Sequence, residues 1–598
     1  MRYTLTSLLA ATASSASVID LHQTPQEPRS SSHHHPGKWC DNSPTSRNCW
    51  GNYSIDTDYY ATIPHTGKTV EVWLSAQEGI CNQDGYNRPC MTFNGTIPGP
   101  LITANWGDDL VIHVTNNLES NGTAIHWHGL RQLNTVQYDG VPGVTQCAIA
   151  PGETLTYRYK VSQYGSTWYH SHFSLQYSEG LFGPMVFNGP ATANYDEDLG
   201  VLFLQDWSHT TVFRAWGHKQ RYGITHSLSN LLLNGTNTFD CSAHDSDPNC
   251  VGGGKKFETV FKPGKKHLIR LANVALDSQF RFSIDGHKLK VIANDLVPIE
   301  PYETDSVVIS AAQRYDIVVE ANAKSDNYWM RAVWVNTCSA VANDNPNSGT
   351  GIVRYDASSV AEPTTTSNVM LPAGCADEPG ESLVPYVKVD VGNIAGTTLE
   401  NLNMRLTHEG VFQWTINSST LIIDWANPTL KQIFDGVDLF PTPYNVVPVD
   451  KTSPDHAGDE WAILVIENVA AGALGEVAHP IHLHGHDFWI LAQGYGTHWD
   501  GTQDSFQFTN PPRRDTAILP AHGYLAIAFR LDNPGVWLVH CHIAWHASQG
   551  LSLEFVERRG SISVQGQDRK VFDETCQAWD RWESQSGGPP FPQLDSGI

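Results

Sequence analysis

Alternating apolar and polar residues recur in three stretches of the chain, in the same order each time. Each unit contains three predicted strands. The first ends at an asparagine, the second ends at a glycine, and the third is rich in aromatic residues. The three sets lie at 110–116, 126–129 and 168–172, at 268–273, 283–286 and 328–331, and at 463–468, 482–485 and 537–542. A period of two is typical of half-buried strands, so the repeat predicts an all-β chain of three related Greek-key β-sandwich domains.

The chain is too long for a single hydrophobic core, since 598 residues exceed the usual size of one domain. The Pro/Thr/Ser-rich stretch 361–372 indicates a surface connection between the second and third domains. The predicted divisions are a leader with the first disulfide region at 21–49, domains at 50–195, 196–375 and 376–575, and a Gly/Pro-rich tail at 576–598.

The first twenty residues, 1–20, favour a secretory signal peptide. Arg2 is followed by an apolar run at 5–13 and by small residues through Ser17. A structural helix is the alternative, because the run is short and rich in Thr and Ser. No apolar segment of 18 residues occurs elsewhere, so we expect no membrane anchor and a secreted, extracellular protein. Five glycosylation sequons fit secretion, at Asn52, Asn94, Asn121, Asn234 and Asn417.

The charge balance narrows the range of partners. The chain has 62 acidic and 37 basic residues, and its formal net charge is −25 at pH 7. A strongly acidic protein is a poor ligand for nucleic acid or for an anionic membrane, so neither is expected as a partner. No feature of the sequence indicates a subunit interface, and a monomer is the expectation.

The eleven cysteines leave one odd thiol once ten are paired. Three pairs are close enough in sequence for local bridges, at Cys40/Cys49, Cys81/Cys90 and Cys241/Cys250. Four further cysteines would pair over longer range with a connectivity that spacing does not determine, namely Cys147, Cys338, Cys375 and Cys576. If Cys541 binds a metal ion, the remaining number is even, as a secreted protein needs.

Eight histidines occupy matching places in the first and third units and are absent from the middle unit. They form four His-x-His pairs, at His126/His128, His170/His172, His482/His484 and His540/His542. One such pair would usually be a surface or core feature, but four at equivalent points of a repeat predict a shared metal site where the outer two domains meet. Eight imidazoles suffice to hold three metal ions and leave positions open for dioxygen.

Cys541 lies between two of these histidines, and in a strand it would point to the opposite face. Cys541 and His546, with His479 as a second nitrogen ligand, form a His₂Cys set, which is typical of a blue-copper electron-transfer site. The backbone around Cys541 would then connect this site covalently to the other metal ions. Zinc is the alternative, but structural zinc sites favour a C-x₂-C spacing that the chain lacks.

The motifs HWHG, HSH, HPIHLHGH and HCHIAWHASQGL together resemble those of multicopper oxidases, most closely the laccases of ascomycete fungi, over about residues 40–598. The resemblance implies three cupredoxin-like domains and four coppers per chain. A type 1 copper would be held by His479, Cys541 and His546. A type 2 copper would be held by His126 and His482, and two type 3 coppers by His128, His170 and His542 and by His172, His484 and His540. Leu551 matches the axial position of type 1 copper; it cannot donate a lone pair, and it would also serve as a core residue.

The resemblance also implies an activity: one-electron oxidation of phenolic and aromatic substrates, lignin phenols among them, coupled to the four-electron reduction of O₂ to water. His546 would present its edge to the substrate, and Cys541 would pass the electron on. Asp277 matches a pocket carboxylate that accepts the phenol proton, the alternative being a solvated loop residue. Asp139 resembles a proton-supplying carboxylate, although Asp-Gly is also a common turn pair.

The resemblance bears on three further features: the residue at 544, the end of the chain and the disulfides. Some relatives carry an acid where this chain has Ala544, and an alanine at this position agrees with the ascomycete subgroup. The ending 595–598 resembles a C-terminal plug that reaches the copper cluster, and we hypothesise that it gates the access of oxygen or protons. The implied disulfides are Cys40–Cys49, Cys147–Cys576 and Cys338–Cys375.

Other functions remain as alternatives. A dedicated phenol-coupling oxidase of pigment or secondary-metabolite synthesis would share the same copper motifs. A ferroxidase would need acidic residues around His479 and His546, and usually a membrane anchor. A copper-binding protein without turnover would not require a continuous Cys-His connection between two kinds of site, which disfavours it.

Overall fold

The computed structural model describes residues 39–222, 226–244, 246–324, 326–339, 341–367, 369–370, 374–407, 410–452, 460–588 and 595–598. Residues 40–598 form one compact unit. The predicted signal peptide and most of the predicted leader lie outside the described residues. No helix in the described part of the chain is long and apolar enough to span a membrane.

The first β-sandwich packs two four-stranded sheets, with strand orders β4-β3-β6-β8 and β5-β10-β9-β7, beside the small ribbon β1-β2. Its strands are β1 (Cys49–Trp50), β2 (Tyr53–Ser54), β3 (Thr69–Asn82), β4 (Asn87–Phe93), β5 (Ile102–Asn105), β6 (Asp109–Asn116), β7 (Ile125–Trp127), β8 (Thr154–Lys160), β9 (Gly165–Ser171) and β10 (Phe182–Asn188). In β6 buried residues alternate with partly exposed ones, as the sequence pattern predicts for a strand with one face in the core.

The second sandwich has sheets ordered β12-β11-β14-β19-β16-β17 and β13-β21-β20-β15-β18. Its elements are β11 (Glu197–Trp207), α1 (Val212–Tyr222), β12 (Asn230–Leu233), β13 (Glu258–Val260), β14 (Lys266–Asn273), β15 (Phe280–Ile284), β16 (Leu289–Asn294), β17 (Val297–Thr304), β18 (Val307–Ile309), β19 (Arg314–Glu320), β20 (Asn327–Trp334) and β21 (Thr350–Arg354).

The third sandwich has sheets ordered β23-β22-β25-β30-β27-β28 and β24-β32-β31-β26-β29. Its elements are β22 (Ile394–Leu406), β23 (Phe412–Ile416), α2 (Thr429–Phe434), β24 (Val446–Val449), β25 (Trp461–Asn468), β26 (His479–Leu483), β27 (Phe488–Gly494), β28 (Arg513–Arg514), β29 (Thr516–Leu519), β30 (Tyr524–Arg530), β31 (Gly535–Cys541), α3 (Ala544–Ser548) and β32 (Ser552–Glu557). A last helix, α4 (Gly566–Ser586), crosses the boundary predicted at 575.

The threefold repeat predicted from the sequence is confirmed strand by strand. In every domain the aromatic-rich strand pairs antiparallel with the strand that closes on glycine: β9 with β7, β20 with β15, and β31 with β26. The largest apolar cluster is shared between domains, since it includes Trp168, Ala272 and Trp537. The domains therefore meet through a continuous core, which includes the predicted ligand Cys541.

Five disulfides bind the chain to itself, and every predicted pairing is present. The bridges are Cys40–Cys49, Cys81–Cys90, Cys147–Cys576, Cys241–Cys250 and Cys338–Cys375. Among the described residues Cys541 alone is a free thiol, and it is buried. The bridge from Cys147 to Cys576 fastens α4 to the first domain and so directs the chain end towards that domain.

Candidate metal centres

The smaller centre is built entirely by the third domain. His479 opens β26, Cys541 ends β31, and His546 lies in α3. The Nδ1 atoms of the two histidines are 3.1 Å apart, and each lies 3.6 Å from Cys541 Sγ. The centre of such a triangle is about 2 Å from each atom, close to the bond lengths of metal–nitrogen and metal–sulfur pairs.

Burial prepares these three ligands for a metal ion. All are at most 2 % exposed. Burial lowers the pKa of His479 to about 3, so its imidazole is neutral and offers a lone pair. Burial raises the pKa of the Cys541 thiol well above its usual value, so the thiolate needs a bound cation to be stable.

Two apolar side chains, Leu551 and Trp414, pack against the smaller centre. Leu551 is 1 % exposed, and its backbone accepts a bond from Cys541 N at 3.1 Å and donates one to His546 O at 3.0 Å. Trp414, which the sequence reasoning missed, packs edge-on to both histidine rings at 4.9 and 5.0 Å. The surroundings offer little solvation to a metal charge, which leaves the three ligands to stabilise it.

Strand alternation separates the two centres. In the pairing of β26 with β31, Cys541 lies opposite Ile481 and His540 lies opposite His482. His479 and Cys541 therefore share one face of the sheet, and His482 and His540 share the other. The spacing His-x-x-His-x-His in this strand is what lets one strand serve both centres.

The larger centre gathers eight buried histidines from the first and third domains. None is more than 4 % exposed. Across the domain boundary, the ring of His126 lies against that of His484 at an interplanar angle of 32°, and His128 stacks on His482. The ring centroids of each pair are 3.9 Å apart. The structure thus brings all eight predicted histidines together.

The nitrogen atoms of this centre fit a metal cluster. Several have no hydrogen-bond partner among the described residues: Nε2 of His126, His170 and His482, Nδ1 of His128, and both nitrogens of His172 and His542. Buried nitrogens are seldom left unpaired, so this many in one place point to an ion. Donor atoms of His172, His484 and His540 lie within 4.8 Å of one another, as do those of His126, His482 and His484 and of His126, His128 and His170.

Asp139 connects several of these ligands. Its backbone oxygen accepts a bond from His126 Nδ1 at 2.8 Å, and its Oδ2 accepts one from His484 Nδ1 at 2.8 Å. Such bonds put the proton on Nδ1 and leave Nε2 free for metal. Asp139 is fully buried, so it is more than a turn residue.

A second carboxylate, missed by the sequence reasoning, lies on the other side. Asp515 Oδ1 is 3.3 Å from His128 Nε2, and Asp515 O accepts a bond from His482 Nδ1 at 2.7 Å. The signal in the sequence is the run Arg513-Arg514-Asp515-Thr516, which is fully polar and yet buried. Charged runs are usually solvated, so this run does not by itself indicate a site.

Asp277 lies beside the smaller centre and is 3 % exposed, which excludes a solvated loop. Asp206 accepts bonds from the backbone of 276–278 and shapes this loop, and Leu276 O accepts a bond from Ala544 N in α3 at 2.9 Å. Burial raises the pKa of Asp277 to about 6, against a hydrogen bond from Ser339 Oγ and the charge of Lys219. Its Oδ1 has no partner among the described residues.

The chain end lies against the larger centre. Ser174 Oγ donates to Asp595 Oδ2 at 2.6 Å, and Trp425 Nε1 donates to Gly597 O at 2.9 Å. Ile598 is 2 % exposed and lines a small cavity together with His170, His172, Tyr177, His540 and His542. The last residues of the described chain therefore lie beside histidines of the larger centre.

Comparison with known proteins assigns the family. Models of multicopper oxidases match residues 75–192, 198–358 and 412–561. The chain is 53 % identical to Laccase-2 of Botryotinia fuckeliana over 597 residues, 99 % of this chain and 98 % of that one. It is 49 % identical to the oxidoreductase OpS5 of Beauveria bassiana, over 99 % of this chain and 98 % of that one.

Solved structures agree. The laccase of Botrytis aclada is 55 % identical, with a TM-score of 0.88 over 94 % of this chain and 100 % of that one. Fet3p, a multicopper oxidase that functions in iron import, is 26 % identical, with a TM-score of 0.71 over 89 % of this chain and 98 % of that one. The chain therefore belongs to the multicopper oxidase family, in which it is an oxidoreductase of the laccase type.

Proposed function

We propose that the chain oxidises phenolic and other aromatic small molecules by one electron each and reduces dioxygen to water. The observation that carries the proposal is the pairing of two centres by one strand, with Cys541 in the first and His540 and His542 in the second. A protein that only stored copper would need no such covalent connection.

The donor sets suit four copper ions per chain, as the resemblance implies. One would be held by His479, Cys541 and His546, and one by His126 and His482. The other two would be held by His128, His170 and His542 and by His172, His484 and His540. When bound, copper supplies one-electron redox chemistry at the first centre and dioxygen reduction at the second.

The protein's own groups manage the protons. A phenolate loses an electron more easily than a phenol, so Asp277 assists by accepting the phenol proton at its carboxylate. With a pKa of about 6, this carboxylate becomes ionised as the pH rises through that value, and proton acceptance improves accordingly. At the other centre, Asp139 holds His484 by a hydrogen bond and would supply protons for the reduction of dioxygen.

The chain end gates the second centre in this proposal. Its hydrogen bonds to Ser174 and Trp425 hold Ile598 beside the cavity that borders the cluster histidines. Deleting 595–598 is expected to lower turnover and shift the pH profile, whereas Ile598→Ala keeps the terminal carboxylate and serves as the matched variant. Unchanged turnover and an unchanged pH profile after the deletion would contradict gating.

A dedicated phenol-coupling role is the second candidate. One relative, 40 % identical over 94 % of this chain, is a dihydrogeodin oxidase of Aspergillus terreus. His546 is 2 % exposed, so a substrate can contact only a small part of its ring, which favours a small set of substrates over a broad one. Iron oxidation is disfavoured, since the side chain that packs against both His479 and His546 is the apolar Trp414 rather than an acidic residue.

Secretion completes the proposal. The sequons at Asn52, Asn94 and Asn417 are exposed and those at Asn121 and Asn234 half-buried, so the first three are the favoured glycan sites. We place the enzyme outside the cell as a monomer, with phenols and dioxygen as its partners and no nucleic acid or membrane.

The decisive experiment measures dioxygen consumption by copper-loaded protein against a panel of phenols and against Fe(II). We expect four phenols oxidised per dioxygen, no hydrogen peroxide, and little response to iron. A panel with one strong substrate would favour the dedicated role. Copper-loaded protein that consumes no dioxygen with any phenol would overturn the proposed function.

A further inference from the structure

Among its described residues the middle domain supplies no histidine to the larger centre, yet it reaches the centre through one arginine. Arg314, the first residue of β19, is fully buried. Its Nη1 and Nη2 donate to the two carboxylate oxygens of Asp515, at 2.7 and 2.5 Å, and Nη1 also donates to Ala312 O at 3.0 Å. A two-pronged bond of this kind fixes the orientation of a carboxylate as well as its position.

Asp515 passes this orientation to ligands of both outer domains. Its Oδ1 faces Nε2 of His128 in the first domain, while its backbone oxygen holds Nδ1 of His482 in the third. Thr516 Oγ1 donates to the same Oδ1 at 3.0 Å. All three domains therefore meet at the carboxylate of Asp515, which accepts hydrogen bonds from Arg314, His128 and Thr516.

His128 differs from its neighbours in which nitrogen it leaves free. His126, His170 and His482 are bonded at Nδ1 and leave Nε2 without a partner. His128 is held at Nε2 by Asp515 and leaves Nδ1 without a partner. A carboxylate at Nε2 favours the tautomer with the proton there, so the Asp515 contact presents Nδ1 to the metal.

Asp515 and Arg314 are tightly packed. Gly129 follows His128 with a φ of +74°, and a Cβ there would lie 2.4 Å from Asp515 Oδ2 and 2.5 Å from Arg314 Nη2. Asp295 Oδ1 accepts a bond from Arg314 N at 2.9 Å, and its Oδ2 accepts one from Asp515 N at 3.0 Å. The arginine and the aspartate are thus fixed from behind and cannot move independently of the histidines.

We propose that Arg314 is a positioning residue of the copper cluster: it orients Asp515, which selects the nitrogen that His128 presents and keeps His128 and His482 in register across the domain boundary. This gives the domain without ligands a direct role in assembling the cluster. The inference rests on the proposed copper cluster and goes beyond it by assigning Arg314, which no motif of the sequence indicates.

The test compares Arg314→Lys and Arg314→Met with Arg270→Met in copper-loaded protein. Arg270 lies on the neighbouring strand β14, is 5 % exposed and bonds Asp316, so its loss removes a buried ion pair of the same sheet away from the cluster. The readouts are copper content after dialysis against a chelator, the type 2 EPR signal, the blue absorption of the first centre, and the melting temperature.

We expect Arg314→Met to bind cluster copper about 10- to 100-fold more weakly, as for other groups that orient metal ligands. Arg314→Lys should show a smaller loss and an altered type 2 signal, because a lysine keeps the charge and loses the fork. Both variants should keep the blue absorption. Arg270→Met should lower the melting temperature and leave copper retention and the EPR signal as in the wild type.

The inference is overturned if Arg314→Met retains its copper with an unchanged EPR signal and differs only in melting temperature, as Arg270→Met does. Should Arg314→Met fail to fold, Asp515→Asn and Arg314→Lys decide the question, and wild-type EPR signals in both would overturn it. Wild-type protein that binds no cluster copper would refute the proposed function as well. Loss of cluster copper in Arg270→Met but not in Arg314→Met would refute only this inference.

Discussion

The two centres bury their ligands equally well but are assembled in different ways. The smaller one takes His479, Cys541 and His546 from adjacent elements of one domain, within a span of 67 residues. The larger one takes four histidines from each of two domains that are hundreds of residues apart in sequence. Local strand geometry therefore determines the first centre, and domain packing determines the second.

The surroundings differ in the same sense. The smaller centre is enclosed by Trp414 and Leu551, and burial alone accounts for the low pKa of His479. The larger centre is bordered by the buried carboxylates Asp139 and Asp515, which bond its histidines, whereas Asp277 beside the smaller centre is bonded by Ser339. Several cations in one place need anionic neighbours, whereas a single thiolate already supplies the negative charge at the smaller centre.

The strongest test separates the centres by removing the thiol. Cys541→Ser should lose the blue absorption and lower phenol oxidation on the order of 10³-fold or more, as loss of a central catalytic group does. The eight histidines do not depend on this side chain, so the cluster copper should remain. Copper content and EPR measure both outcomes, and loss of all copper would show that the centres are not independent.

A weaker test acts on the larger centre alone. Asp139→Asn removes the charge behind His126 and His484 and should lower turnover by about 10- to 100-fold. The first centre should still accept electrons from substrate without oxygen, visible as bleaching of the blue colour. Asp316→Asn, another buried carboxylate but outside the centre, is the matched control.

A third test concerns proton transfer from the substrate to Asp277. In the wild type, kcat/KM for a phenol should rise as the pH increases through about 6, because the ionised carboxylate accepts the proton. Asp277→Asn should lower this value about 10-fold and flatten the rise. For an electron donor without an ionisable proton, kcat/KM should be the same in the wild type and in Asp277→Asn. If Asp277→Asn lowers kcat/KM for that donor as much as for the phenol, a role in proton transfer is contradicted.

The smallest effect is expected at the axial position. Leu551→Met offers a thioether to the copper of the smaller centre, which stabilises Cu(II) and lowers the potential. Oxidation of the phenols that are hardest to oxidise should slow roughly threefold, about 0.6 kcal/mol. Redox titration of the blue band gives the potential directly, and an unchanged potential would mean that residue 551 acts only through packing.

Strand alternation made much of this protein predictable. The repeat predicted β7 with β9 and β26 with β31 as equivalent pairs, and the structure confirms both. The disulfide partners also followed, three from resemblance and two from close spacing. The sequence did not predict the helix α4, because the Gly/Pro-rich composition of the chain end led to the whole of 576–598 being treated as a tail.

The sequence by itself determined the ligand types, their distribution over two faces of a strand, and the all-β fold, because these depend on residue identity and a period of two. Only the tertiary structure decided which charged side chains join the cluster. Arg314 and Asp515 are 201 residues apart and belong to domains that no local pattern connects. Their contact exists because three domains pack around one buried carboxylate, and packing over such distances leaves no periodic signal in a single sequence.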